Sequence, residues 1–394
     1  MKTAKLTSLF TLPAGLTLLT CLLLSACDQQ PANDSAITET KPKAEAPPQL
    51  EPEQLTAANK RLFIQGEEAI TASMEASVAL ATAINSFLST PEQQNLEEAQ
   101  TQLIDMALEY RHFFFARQIA LVDPSTFAEL NKADFRIGTF PIQPGFIDAF
   151  GDYKYSGIVF DAGFPINRES LSNQHGLTDV SEVVLGIYAI EFLLFNVDGQ
   201  RQAEDFHPML TLSKSDRDNG YRKAAELPNN RRRDILRLQA EILVDDLANL
   251  KMLWTSEEFT RGHWLGFTPR QQTTKAKRTL SNSLTQLMVE VGDLNTEATP
   301  ERELPERELK VPPAIFNASL DIKRQYLLNA LNSCQTGTMF LGDKDELQDK
   351  KQNIKNLMNQ AVASLSQKTV KDEEEFWKTT FSQLKDITEA VLTF

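Results

Sequence analysis

Apolar residues recur at helical spacing from Leu55 onward, at intervals of three, four and seven positions. Such a stripe is typical of an amphipathic helix with one face in a core. Its members are Phe63, Ile70, Met74, Ala81, Ile84 and Leu88. The run Thr90-Pro91-Glu92-Gln93 predicts a second helix, with Thr90 as N-cap and Gln93 completing a capping box. Two long helices with a short connection predict an antiparallel pair.

The periodicity breaks between Val122 and Gly176, where glycine, proline and aromatic residues are frequent. A stretch of this length without a period is usually functional or disordered. Its many Phe, Tyr and Ile residues favour an ordered loop. We therefore expect residues 140–175 to form a wall of a site.

Helical patterns resume after this loop and continue to the C-terminus. The first runs from Val183 to about Val197, with Thr178 or Asp179 as its cap. The later ones cover 235–254, 270–291, 316–341, 346–365 and 373–392, separated by polar connections at 200–229 and 296–310. The pattern predicts an all-α protein, with two helical halves at about 53–200 and 230–394.

The N-terminus has the pattern of a secretion signal, because Lys2 and Lys5 precede an apolar stretch. That stretch ends in Leu24-Ser25-Ala26-Cys27, which resembles the lipobox of a bacterial lipoprotein. The resemblance implies a signal peptide at 1–26, a lipid on Cys27, and a position on the periplasmic side of a membrane. Asp28 favours the inner membrane, by analogy with enterobacterial sorting. Residues 27–52 lack aromatics and are rich in Pro, Ala and acids, which predicts a disordered tether.

Composition narrows the function. The 54 acidic residues against 40 basic ones give a net charge of −14, which argues against nucleic-acid binding. Three cysteines, one of them Cys27, are too few for a disulfide scaffold or a cysteine-ligated metal site. Gly and Pro, at 16 and 18 residues, are too scarce for a many-stranded β protein.

One carboxylate stands out, because Glu191 lies in a segment that is apolar on every face of its predicted helix. A buried carboxylate must be protonated, paired with an arginine, or bound to a cation. Tyr188 lies one turn earlier on the same face. Gly186 would let another backbone or a ligand approach closely.

Three interpretations of Glu191 stay open: a core residue paired with Arg111, Arg117 or Arg136, a ligand or metal site, and a general base. Carboxylate and phenolate oxygens suit Fe(III) better than zinc. Two residues alone do not make a site.

The segment Gly186-Ile187-Tyr188-Ala189-Ile190-Glu191 resembles the GxHxxE segment of imelysin-like proteins. Other similarities span most of the mature chain; they are Phe140-Pro141-Ile142, the stretch Arg231 to Trp254, Phe316-Asn317 and Phe340-Leu341-Gly342. The resemblance implies two halves like four-helix bundles, with a site between them that includes the motif helix. It also implies a periplasmic or lipid-anchored protein linked with iron uptake, and one founding member is an insulin-cleaving metallopeptidase.

The chain departs from the family at the motif histidine, which is Tyr188 here. Only Gly186 and Glu191 therefore carry over. A metallopeptidase needs several metal ligands and an open water position, and the sequence has no HExxH, so the substitution argues against an enzyme. His175 stays a site-lining candidate with Phe140 and Pro141. Further oxygen donors in the loop are Asp148, Tyr153, Tyr155 and Asp161.

These observations lead to the hypothesis of a lipid-anchored periplasmic protein that binds iron, or an iron-bearing partner, during uptake. Glu191 would be the central ligand and Tyr188 a second one. A metallopeptidase of the imelysin type and a protein-interaction module without metal are the alternatives.

Overall fold

The computed structural model describes residues 50–295, 311–342, 345–367, 369–370 and 372–394. The predicted signal peptide at 1–26, Cys27, Asp28, nearly all of the predicted tether at 27–52 and the charged run at 296–310 lie outside these residues. No helix within the described ranges is long and apolar enough to cross a membrane.

Helices make up most of the described chain, and the only β pairing in it is an isolated bridge between Phe150 and Tyr153. The prediction of an all-α fold is confirmed. The helices are α1 (Pro52–Ser89), α2 (Gln93–Tyr110), α3 (Phe114–Val122), α4 (Ala128–Gly138), α5 (Pro144–Ile147), α6 (Arg168–Gln174), α7 (Ile187–Phe195), α8 (Lys214–Asp218), α9 (Pro228–Thr255), α10 (Thr260–Leu265), α11 (Pro269–Leu294), α12 (Pro313–Phe316), α13 (Leu320–Thr338), α14 (Asp345–Leu365) and α15 (Glu373–Thr393).

The first long helix, α1, packs along both α2 and α9. Helix α7 inserts between α2 and α9, and α4 packs on α9. A second group consists of α11, α13, α14 and α15. Helix α3 packs on α11 and α13 and so connects the groups. Because α9 packs mainly along α1, it lies with the first group, although the sequence placed it in the second half.

The predicted start of the second helix was wrong. Helix α2 begins at Gln93 with Glu92 as its N-cap. Thr90 instead ends α1, where its backbone N–H donates to the carbonyl of Ser86. The first helix continues through Ser89, so Thr90 is already committed to its C-terminus.

The stretch from Val122 to Gly176 contains a helix that the sequence analysis missed. Helix α4 spans eleven residues and buries Leu130, Ala133 and Ile137. These three positions follow helical spacing, but polar neighbours hide the short pattern. The segment between α5 and α6 is irregular, made mainly of turns and bends.

The motif helix α7 is shorter than predicted. It begins at Ile187 rather than Val183, because its N-cap Gly186 has φ 88° and ψ −175°, a conformation outside any helix. The predicted caps form a turn before it: Asp179 accepts from the backbone N–H of Ser181, and the hydroxyl of Thr178 donates to Glu182.

Candidate functional site

Helix α7 is buried along nearly its whole length, as its apolar sequence predicts. Tyr188 and Glu191 lie one turn apart on it and are 6% and 4% exposed. Glu191 reaches toward α12, where its Oε1 accepts the backbone N–H of Ala314 at 2.8 Å. A carboxylate at the first turn of a helix is favourable because the N–H groups there lack helical partners. Glu191 therefore ties α7 to the segment that follows residue 310.

The three arginines considered as partners of Glu191 each pair with another carboxylate. Arg111 pairs with Glu290 at 2.5 Å, Arg117 with Asp134 at 3.2 Å, and Arg136 with Asp246 at 2.9 Å. Their positions nonetheless matter, because Arg111 and Arg117 lie near Tyr188.

Tyr188 packs its ring against Phe140, with centroids 5.2 Å apart. Its hydroxyl makes no hydrogen bond to any residue that the structure describes. Burial raises the pKa of Tyr188, while the guanidinium groups of Arg117 and Arg111 act in the opposite direction. The phenol is therefore protonated at neutral pH and can donate a hydrogen bond.

Gly186 is required by two independent constraints. Its φ of 88° disfavours any residue with a side chain. A Cβ added there would also lie 2.5 Å from the carbonyl oxygens of Arg136 and Ile137 at the end of α4. The backbone of α4 thus occupies the space that this glycine leaves, so Gly186 packs α7 against α4.

His175 holds the backbone that leads into α7. Its Nδ1 accepts the N–H groups of Val184 and Leu185 at 3.3 and 3.2 Å, which makes Nε2 the protonated nitrogen. Nε2 then donates to the carbonyl of Phe135 at 3.2 Å. Burial lowers the pKa of His175 to about 4. With both ring nitrogens engaged, His175 orders the turn before α7 and has no lone pair left for a metal.

The other oxygen donors of the 140–175 loop do not meet Glu191. Asp148 is fully buried between Arg201 and Arg232. Tyr153 and Tyr155 are 60% and 81% exposed. Asp161 accepts the backbone N–H of Gly163 in a local turn. From the expected wall, Phe140 and Pro141 are the residues that reach the space beside Tyr188.

That space is a cavity of about 270 Å³, here called the central cavity. Its polar side chains come from four helices and a short 3₁₀ turn before α3, and they are Arg111, Arg117, Tyr188, Gln286, Glu290 and Tyr326. Its apolar lining includes Phe140, Pro141 and Pro312. Of the residues that the sequence singled out, Tyr188, Phe140 and Pro141 line this cavity, and so do Arg111 and Arg117, which were considered as partners of Glu191. Gly186 and His175 lie behind it and position its wall.

Arg111 is held rigidly at the cavity. Its guanidinium lies between the rings of Phe114 and Tyr326, at 4.4 and 4.0 Å from their centroids. Nη2 donates to Glu290 at 2.5 Å, and Gln286 donates to the same carboxylate at 3.1 Å. Burial raises the pKa of Glu290, and Arg111 opposes that shift.

Arg117 is held from one side only. Its Nε lies 3.2 Å from Asp134, whose other oxygen accepts the hydroxyl of Tyr110 at 2.6 Å. The terminal nitrogens Nη1 and Nη2 make no hydrogen bond within the described residues. Arg117 also lines a neighbouring groove of about 510 Å³, which shares Gly138 and Phe140 with the central cavity. Arg117 therefore stands between the cavity and this groove.

The residues present do not fit a bound metal ion. Within the described residues, no three His, Cys, Asp or Glu side chains are placed to hold one. Two guanidinium groups line the same cavity as Tyr188, and their positive charge disfavours a cation there. A transition-metal site needs several anionic or imidazole ligands around the ion.

The sequence did not indicate Tyr326 and Glu290 as site residues, and it suggested Arg111 and Arg117 only as partners of Glu191. One signal was available, since both arginines lie in the aromatic and apolar run RHFFFARQIALV. A charge in such a run must be buried and paired. Nothing local indicates that Glu290 and Tyr326 lie opposite these arginines.

The fold and cavity define an all-α protein with a polar chamber beside a buried GxxxxE helix. The sequence profile of imelysin, peptidase family M75, matches residues 68–307, which is more than half of the chain. The chain therefore belongs to the imelysin family, as the motif segment predicted.

Among solved structures, the chain is similar to a candidate iron-regulated protein A precursor from Parabacteroides distasonis ATCC 8503. The two are 11% identical with a TM-score of 0.49, and the match covers 88% of this chain and 95% of the other. No curated protein matches the chain.

Proposed function

We propose that this imelysin-family protein is anchored by a lipid on Cys27 to the periplasmic side of a bacterial membrane and takes part in iron uptake by binding. The lipobox and the acidic, proline-containing tether support the anchoring, and Asp28 favours the inner membrane. The family resemblance supports the association with iron. The central cavity supports a binding role.

The observation that carries the binding role is the arrangement beside Tyr188. A partly open cavity lined by two arginines and two tyrosines can bind a small ligand, but its described residues do not offer the ligand set of a bare ion. Iron would therefore reach this protein within a chelate or on an iron-bearing partner. This proposal differs from the hypothesis that Glu191 and Tyr188 are ligands of the ion, which stays a prediction.

The metallopeptidase alternative gains no support from the described residues. The family histidine is Tyr188, Glu191 accepts a backbone N–H, and His175 uses both nitrogens for backbone contacts. A peptidase would need a metal with an open water position among such groups.

The test is growth of the source bacterium under iron limitation after deletion of this gene. We expect slower growth, restored by the full chain and not by Cys27→Ser, which lacks the lipidation site. Membrane fractionation of both forms gives the matching localisation, with the native chain in inner membranes and Cys27→Ser in the soluble periplasm. Unchanged growth of the deletion strain would overturn the role in iron uptake.

A pull-down from membranes with and without added iron addresses the partner. Iron-dependent capture of one protein supports an iron-bearing partner, whereas capture independent of iron supports the alternative of an interaction module without metal.

A further inference from the structure

The central cavity is lined by two buried tyrosines whose hydroxyls have no hydrogen-bond partner in the described residues. Tyr188 and Tyr326 are 6% and 2% exposed, and both line the cavity. Burial raises the pKa of each phenol, so both are protonated donors at neutral pH. Neither hydroxyl oxygen is fully buried, so both are accessible from the cavity and can donate to a ligand that enters it.

Arg117 adds a third uncommitted donor group. Its Nε faces Asp134, whereas Nη1 and Nη2 make no hydrogen bond within the described residues. Its side chain is 15% exposed, and Nη1 and Nη2 are not fully buried, so both nitrogens are accessible to a ligand. The planar guanidinium presents two parallel N–H groups to any acceptor that enters.

The acceptors around the cavity, in contrast, are already engaged. Glu290 accepts from Arg111 and Gln286, and Asp134 accepts from Tyr110. The groups left over are one guanidinium face, which can only donate, and two phenols, which can donate as well as accept. A ligand that satisfies them must offer several acceptor oxygens.

We infer that the central cavity binds the carboxylate group of a small organic acid, with Arg117, Tyr188 and Tyr326 donating to its two oxygens. A carboxylate has two oxygens and about four lone-pair sites, enough for a guanidinium fork and two phenols. Since Asp134 already offsets much of the charge of Arg117, a singly charged group suits the site better than a dianionic phosphate. Phe140, Pro141 and Pro312 provide apolar contact for the remainder of the acid.

This inference deepens the proposed function, because it names the chemistry by which a ligand or ferric chelate would be held. The volume of about 270 Å³ suits a small acid. The groove lined by Arg117, Gly138 and Phe140 gives a path on which a larger chelate can extend.

The experiment is isothermal titration of the purified full-length chain, in detergent, with benzoate, citrate, ferric citrate and inorganic phosphate. We expect at least one carboxylate to bind with a dissociation constant of about 1 mM or lower and phosphate to bind more weakly. Arg117→Gln should weaken binding at least about tenfold, because it removes charge-assisted hydrogen bonds. Tyr188→Phe and Tyr326→Phe, which each remove one hydroxyl, should weaken it by about twofold to tenfold.

Arg270→Gln and Tyr153→Phe are matched controls on exposed side chains outside the cavity and should bind like the native chain. The Phe variants keep the ring packing, so they remain informative if Arg117→Gln does not fold. The inference would be overturned if the native chain bound none of benzoate, citrate and ferric citrate. It would also be overturned if Arg117→Gln, Tyr188→Phe and Tyr326→Phe all bound as tightly as the native chain. Failure of the growth phenotype with intact carboxylate binding would overturn the iron role alone.

Discussion

Two clusters of buried arginines in this protein differ in how many of their donors are satisfied. Around Asp148, Arg232 donates to both carboxylate oxygens at 2.6 and 3.0 Å, and Arg201 donates at 3.2 Å. The neighbouring Arg231 donates to the carbonyls of Ile158, Val159 and Phe164. These contacts fasten the irregular loop to α9 and leave little capacity for a ligand.

The arginines of the central cavity form the contrasting cluster. Arg111 is paired with Glu290 and stacked between two rings, but the terminal nitrogens of Arg117 make no hydrogen bond within the described residues. Burial of an arginine therefore does not by itself indicate a ligand-binding site. A binding cluster differs from a structural one in two respects. Some of its arginine N–H groups lack a hydrogen-bond acceptor, and those groups face a cavity.

The same substitution in both clusters gives the largest expected contrast. Arg232→Gln should lower the free energy of unfolding by about 3–5 kcal/mol, because it leaves the buried Asp148 short of a partner. Arg117→Gln should cost only about 1 kcal/mol, since Asp134 keeps the hydroxyl of Tyr110. Urea denaturation of the two variants measures this. Equal losses would show that both arginines are structural.

Gly186→Ala should lower the free energy of unfolding by about 3 kcal/mol, because residue 186 has φ 88° and a Cβ there would collide with the backbone of α4. Gly220→Ala is the matched control, because Gly220 has φ 93° but no atom within 4 Å of its Cβ position. Gly220→Ala should lower the free energy of unfolding by about 1–2 kcal/mol. If the two variants lose the same stability in urea, the contact with α4 contributes nothing.

Gly186 also shows which parts of the fold could be predicted from the sequence and which could not. Periodicity was enough for the long helices α1, α9 and α11, because each repeats its apolar stripe over many turns. The start of α7 was misplaced, because the left-handed conformation of Gly186 depends on the carbonyls of α4.

The site was predictable only in part. Tyr188, Phe140 and Pro141 belong to segments with a family resemblance, and all three line the central cavity. Arg117, Glu290 and Tyr326 come together from α3, α11 and α13, and no local pattern specifies which side chains meet across those helices. The hydrogen bonds around Arg117 form only when these helices pack, so the sequence does not indicate that its terminal nitrogens make none within the described residues.

The stability of the chain should depend on pH through His175, a buried histidine whose two ring nitrogens bond backbone groups. Its pKa is about 4 in the fold, whereas an unfolded histidine has a pKa of about 6.5. Between these values the unfolded state binds the extra proton, so stability should fall by up to about 3 kcal/mol as the pH decreases from 6.5 to 4.

His175→Asn keeps an acceptor near Nδ1 and should remove this part of the pH dependence, as measured by urea denaturation across that range. His207→Asn, at an exposed position, should leave it unchanged. An identical pH profile for His175→Asn and the native chain would contradict the neutral assignment.

The smallest expected effect separates two tyrosines. Tyr110→Phe removes the hydrogen bond to Asp134 and should cost about 2 kcal/mol. Tyr188→Phe removes a hydroxyl without a partner in the described residues and should change stability by less than about 0.5 kcal/mol. Thermal denaturation of the ligand-free variants checks this. A large loss for Tyr188→Phe would mean that its hydroxyl is structural.

The most direct test of the central claim is a parallel titration of the native chain, Arg117→Gln and Glu191→Gln with citrate and, anaerobically, with Fe(II). Gln at 191 can still accept the N–H of Ala314, so that variant should fold. We expect citrate to bind the native chain and Glu191→Gln with the same affinity, and Arg117→Gln more weakly. Fe(II) alone should bind none of the three. Binding of Fe(II) that disappears in Glu191→Gln and persists in Arg117→Gln would contradict the account.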